Sequence, residues 1–228
     1  NVVLLLKLMY GKMHDGLMPN LEDLLKCFNN FDLVQEMCEE LEKDPELAKE
    51  YELQLTYFKQ YFYKGSEGRK DMQRYVHFAS STLDVLLRSA EARNIICNRY
   101  NNMDFGAVLD EGKIVLISTR PYEIGGTADQ GFGRFFLMLM MCSVENNREL
   151  VKNRIPHFLY VDEFDHYDPS NFEDMFTLYR KFKIGTIFSA QTVSGLGSEK
   201  ILANSPTKIT FGNNTPDEMD WWMREFGK

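Results

Sequence analysis

Apolar residues recur at three- and four-residue steps through the first hundred positions, and in short unbroken runs through the rest. The first pattern predicts amphipathic helices and the second predicts buried strands. Asn20, with Asp23 three residues on, reads as a helix cap, and Leu21, Leu24, Leu25 and Phe28 follow as one stripe. Asp44-Pro45 is a cap followed by proline at the first helical position. From there Leu47, Tyr51, Leu55, Phe58 and Phe62 continue the helical spacing as a core stripe. Residues 64–68 (Lys-Gly-Ser-Glu-Gly) read as a loop, and Tyr75, Val76, Ala79, Leu83, Leu86 and Leu87 mark a further helix.

The character changes near Asp104. Residues 113–119 (KIVLIST) form a continuous apolar run of the kind buried on both faces of a sheet. Thr127 and Gln130 have capping-box spacing for a helix reaching about Asn147. Phe158 to Val161 is the second predicted strand, and Ser170 with Glu173 caps a helix ending near Lys183. Residues 186–190 and 208–211 are the third and fourth predicted strands. Thr215-Pro216-Asp217-Glu218 opens a last helix, with Gly227 placed to stop it. Strands alternating with helices predict an α/β fold with a parallel sheet covered on both faces. The expected organisation is a helical subdomain over 1–103 and an α/β half-sheet over 104–228.

Composition narrows the functional classes. The net charge is −8, evenly divided, with 13 basic and 17 acidic side chains in residues 1–105 and the same again in 106–228. This argues against a broad basic nucleic-acid surface, so any DNA contact is expected to be local or to lie outside these residues. The four cysteines, Cys27, Cys38, Cys97 and Cys142, show no C-x-x-C spacing and read as buried free thiols of a reducing compartment. Val2 to Tyr10 is apolar but interrupted by Lys7 and too short to span a bilayer. The abrupt apolar start suggests a piece of a longer chain.

The candidate chemistry gathers where strands end. Residues 157–163 (HFLYVDE) are an apolar strand closing in Asp162 and Glu163, and the carboxyl end of a strand is where α/β sheets bind ligands. Asp162 there can hold a magnesium ion and Glu163 can polarise an attacking water, as in a Walker B element. The plainer reading is an acidic strand end facing solvent. Gln191, just past the third strand, can reach a γ-phosphate or the same water; the plainer reading is a glutamine bonded to a loop. Arg180, near the end of the intervening helix, either complements that helix's dipole or neutralises phosphate charge across a subunit boundary, and is expected on the carboxyl side of the same sheet. Asp162, Glu163, Asp165, His166 and Asp168 are too nearly consecutive to converge as a transition-metal cage. No GxxxxGK[ST] phosphate loop occurs in the 228 residues.

Taken in order, the segments LDEGKIVLIST, ENNR, IPHFLYVDEFDHY, LYRKFKIGTIFSAQTVSGL and ILANSPTKITFGNNTPDEMDWW resemble the type IV secretion coupling ATPases of the TraG/TraD kind, within the FtsK/HerA motor superfamily. The resemblance covers 104–228 well. Over 1–103 it is loose, with PNLEDLL similar to the helical insert of such motors. It implies a RecA-like parallel sheet half with flanking helices, ATP and magnesium as cofactors, and translocation of DNA by a homo-oligomeric ring. It implies Asp162 as the magnesium-side Walker B acid, Glu163 and Gln191 as catalytic residues, and Arg180 as the arginine reaching a neighbour's nucleotide. A relaxase or accessory protein is the expected partner of the helical part. The expected location is the cytoplasm, at the inner membrane face if a segment outside this chain tethers it. The alternatives are another motor of the superfamily, for channel assembly, repair or packaging, or a non-hydrolysing docking module on an ATPase-like scaffold.

Overall fold

The computed structural model describes residues 1–100, 103–119, 126–148, 154–212 and 215–227. Helices dominate, and the described residues contain one small sheet of two parallel strands. The chain divides into two compact units, Asn1–Asn102 with Arg120–Asp129, and Met103–Thr119 with Gln130–Lys228.

The first unit contains α1 (Val2–Met13), α2 (Leu21–Asn29), α3 (Phe31–Glu42), α4 (Pro45–Glu50), α5 (Glu52–Tyr61), α6 (Arg69–Arg88) and α7 (Ala90–Ile96). Local chemistry sets the starts of several. The Asn20 amide oxygen accepts the Asp23 N–H at 3.1 Å, and the Asp23 carboxylate accepts the Asn20 N–H at 3.1 Å, closing both arms of the capping box. Pro45 occupies the first turn of α4, and the Asp44 carboxylate accepts from the N–H groups of Glu46 and Leu47. The stripe from Leu47 to Phe62 is not one helix: the backbone departs from helical geometry at Tyr51 (φ −105°, ψ 25°) and splits it into α4 and α5. Leu6, Met9, Val34, Cys38, Phe58 and Phe62 form the centre of this unit's core. On α6 the inward face is Met72, Val76, Ser80, Leu83 and Leu87, which leaves Tyr75 and Ala79 exposed, one residue out of phase.

One buried ion pair ties the first unit together over a long sequence separation. Asp23 is 3 % exposed, and Arg99 reaches it at 2.9 Å. The same guanidinium donates to the Tyr10 hydroxyl at 3.0 Å and to the Met18 carbonyl, while the Asn20 side chain donates to the Cys97 carbonyl at 2.7 Å. Burial by itself raises the Asp23 pKa; the Asn20 N–H, the Tyr10 hydroxyl and the Arg99 guanidinium outweigh it and hold the carboxyl below the ordinary range. Arg99→Ala would leave that carboxylate buried without its main counter-charge. We expect a loss of about 3 kcal/mol at neutral pH, measured by urea denaturation. A depressed acid stabilises above its unfolded pKa, and that contribution disappears as pH falls through the folded value. The gap between wild type and variant should therefore narrow as pH falls below the unfolded carboxyl value of about 3.9.

The cysteines are free thiols: Cys27, Cys38 and Cys97 are buried, whereas Cys142 is exposed on its helix. Burial pushes the thiols of Cys27 and Cys38 up to about 11 and about 12.

The second unit contains α8 (Phe105–Glu111), α9 (Gly126–Arg148) from Gln130 onward, β1 (His157–Val161), α10 (Glu173–Thr177), β2 (Ile184–Phe188), α11 (Glu199–Ala203) and α12 (Pro216–Phe226). Short 3-10 turns cover Phe164–Tyr167, Pro169–Phe172, Tyr179–Phe182 and Ser194–Leu196. β1 and β2 run parallel, with His157 opposite Ile184 and Val161 opposite Phe188. Leu159, Val161, Ile184 and Phe188 face a core built from Leu109, Leu137, Val144, Phe164, Phe172 and Tyr179. The Tyr179 hydroxyl donates to Glu145 at 3.0 Å, and burial followed by that bond raises its pKa strongly. The opposite sheet face is open: Phe158, Tyr160 and Ile187 are exposed.

Three expectations for this unit are corrected. Residues 113–119 form no strand, and Ile114 and Leu116 are 90 % and 93 % exposed. Residues 208–211 likewise form no strand, with Ile209 and Phe211 exposed. Both runs have strand propensity, but a strand exists only where a neighbouring strand takes its backbone hydrogen bonds in a ladder, and among the described residues neither segment joins the sheet. The single helix expected over 170–183 is broken into 3-10, α and 3-10 pieces. Ser170 does not cap it: its hydroxyl donates back to Asp168 at 2.9 Å. The last helix starts as expected, with Thr215 and Glu218 forming a complete capping box around Pro216. Among the described residues no helix is long and apolar enough to cross a membrane.

Candidate functional site at the carboxyl end of the sheet

The site is built by the parallel register. Because Val161 pairs with Phe188, the next residues of each strand, Asp162 and Ser189, emerge side by side. The Ser189 N–H donates to the Val161 carbonyl at 3.0 Å, and the Ser189 carbonyl accepts the Phe164 N–H at 2.8 Å. Between these bonds the chain turns sharply. Glu163 takes the left-handed backbone region (φ 49°, ψ 51°), which is costly for a residue with a side chain. The buried Phe164 ring follows at once and pins the turn to the core.

Five polar side chains meet there. The Ser189 hydroxyl donates to Asp162 Oδ1 and accepts the Glu163 N–H at 3.0 Å. That same N–H lies 3.2 Å from Asp162 Oδ1. Gln191 donates through Nε2 to Glu163 Oε1 at 3.1 Å, and its backbone N–H donates to Asp165 Oδ2 at 3.1 Å. Just beyond, the Val193 N–H donates to Glu218 Oε1 at 2.8 Å, which ties the start of α12 to the loop after β2. That bond and the Thr215 N–H hold the Glu218 carboxyl below its usual range. Asp162, Glu163 and Gln191 are all exposed, so the acids are reachable from solvent.

Arg180 is elsewhere. It lies in the 3-10 turn that feeds β2, and the Lys183 N–H bonds its carbonyl at 3.0 Å. The His157 N–H then bonds the Lys183 carbonyl, the first rung of the sheet. Arg180 therefore stands at the amino end of the strands, the whole length of β2 away from the acid pair, and not on the carboxyl side as expected. Its side chain is exposed.

Magnesium suits the chemistry of the donors. It is a hard cation usually held by one or two carboxylates, with waters and substrate phosphates completing its shell, so a closed protein cage is not needed. The described residues include no cluster of three or more histidine, cysteine or acidic groups disposed around one ion. Asp168 instead accepts from Ser170 and from Asn171 at 2.8 Å. ATP phosphates fit less well: no phosphate loop occurs in the sequence, and the acid pair offers no positive group of its own. Ser189 was not singled out from sequence, and Asp165 was weighed there only as a member of a metal cage that was set aside. The signal was the register, since the residue following β2 must sit beside the residue following β1.

No protein-family model, curated protein or solved structure matches the chain.

Proposed function

We propose that residues 104–228 are the Walker B-bearing portion of an ATP-driven motor that translocates DNA, of the kind used in conjugation and type IV secretion. The observation that supports this best is the convergence of Asp162, Glu163 and Gln191 at one strand end, with Gln191 bonded to Glu163. In this reading the phosphate-holding loop is contributed by sequence outside these 228 residues. Magnesium, when bound, would neutralise charge on the phosphate oxygens.

The chain's own residues supply the rest. Asp162 is fixed through Oδ1, which would leave its other oxygen to hold the metal. Glu163 takes up a proton as water attacks, and the Gln191 amide orients the Glu163 carboxylate for that role. Arg180, exposed at the far end of the strands, serves a neighbouring subunit in the ring and not its own acid pair. DNA contacts come from a local patch or from outside these residues, given the acidic balance.

The test is ATP hydrolysis by the full-length protein carrying these residues. Turnover that requires magnesium and rises with added DNA is the expected result. A full-length protein that binds no nucleotide would overturn the motor reading and favour the docking-module alternative. Magnesium-dependent turnover indifferent to DNA would leave an ATPase and remove the translocation role.

A further inference from the structure

We infer that Ser189 is the positioning residue of the acid pair, holding both Asp162 and Glu163 in working geometry through one hydroxyl. The inference rests on the metal-and-water role proposed for that pair.

A hydroxyl has one proton to give and lone pairs to accept with. Ser189 uses both on adjacent residues: it donates to Asp162 Oδ1 and accepts from the Glu163 N–H at 3.0 Å. The first bond fixes which Asp162 oxygen is left for a cation. The second supports a backbone conformation that Glu163 does not favour, at φ 49°. The main chain of Ser189 brackets the same turn, bonding Val161 on one side and Phe164 on the other. Four hydrogen bonds from one residue thus span residues 161–164. Because the backbone bonds survive any side-chain change, removing only the hydroxyl should misplace the carboxylates without unfolding the turn.

The chemistry predicts how the two acids respond. Without the hydroxyl, Asp162 is free to rotate and its oxygens lose their assigned roles, which weakens cation binding. Glu163 loses an acceptor for its N–H, which loosens the carboxylate that meets water. Groups that orient metal-binding carboxylates are commonly worth about ten- to a hundredfold in affinity or rate.

The experiment compares wild type, Ser189→Ala and Ser189→Thr in the full-length protein. Manganese binding is measured by electron paramagnetic resonance of the free ion, and ATP turnover is measured separately. Ser189→Ala should weaken manganese binding about tenfold and lower kcat about tenfold, with the KM for ATP nearly unchanged. Ser189→Thr keeps the hydroxyl and should recover most of both. Thermal melting should be alike in all three, which separates positioning from folding. Equal manganese affinity in wild type and Ser189→Ala would overturn the inference, as would a threonine variant as impaired as alanine. If wild type binds manganese through this pair and the alanine variant binds it less tightly, the inference holds even where ATP is not hydrolysed. That outcome would sink only the motor reading. Absence of manganese binding that depends on Asp162, shown with Asp162→Asn, would overturn the inference itself.

Discussion

If the motor reading proposed above holds, Glu163→Gln should abolish ATP turnover in the full-length protein while leaving nucleotide binding intact. The substitution is nearly isosteric, and its amide oxygen can still accept from Gln191 Nε2, now 3.1 Å from Glu163 Oε1. What it removes is the ability to take a proton from water. A positioned general base is worth roughly a hundred- to ten-thousandfold in rate, so kcat should fall by at least about a hundredfold. The KM for ATP should change little, because uniform binding of the substrate is untouched. Steady-state hydrolysis with a parallel binding measurement separates the two quantities. Turnover within a few-fold of wild type would show that Glu163 is not the base.

Phe164→Ala should be the most damaging single truncation near the site, costing about 4 kcal/mol of stability. Phe164 is fully buried at 0 % exposure and follows Glu163 directly. Its ring meets Phe188 at 5.5 Å, Phe176 at 5.8 Å and Phe172 at 6.1 Å between centroids. Each such aromatic pair adds about 1 kcal/mol beyond the area it buries. The loss should appear as a lower midpoint in urea, with the transition steepness preserved. The same variant should bind manganese less tightly, because the turn carrying Asp162 and Glu163 hangs from this ring. Phe164→Leu keeps most of the buried volume and should cost less than half as much. A Phe164→Ala variant as stable as wild type would mean the cluster repacks without it.

Several helix starts were legible from sequence because they depend on residues close in the chain, although the expected Ser170–Glu173 cap does not form. Asn20 with Asp23, Asp44 with Pro45, and Thr215 with Glu218 all act within one turn, and the structure forms each cap. The strand over 157–161 was legible too, from its apolar run and its acidic stop. The runs at 113–119 and 208–211 looked equally strand-like and form none. Strand formation requires a partner, and nothing within a run of seven residues states whether a neighbour will be there.

The site divides along the same line. The sequence by itself determined that Asp162 and Glu163 would stand together at a strand end and that Gln191 would follow another strand. It also determined that no phosphate loop lies within these residues. Only the tertiary structure decided that Gln191 bonds Glu163, that Ser189 grips both acids, and that Arg180 stands at the opposite end of the strands. The physical reason is register. Two parallel strands of five residues set which ends meet, and that pairing follows from long-range packing of Phe164, Tyr179 and their neighbours, not from any spacing along the chain.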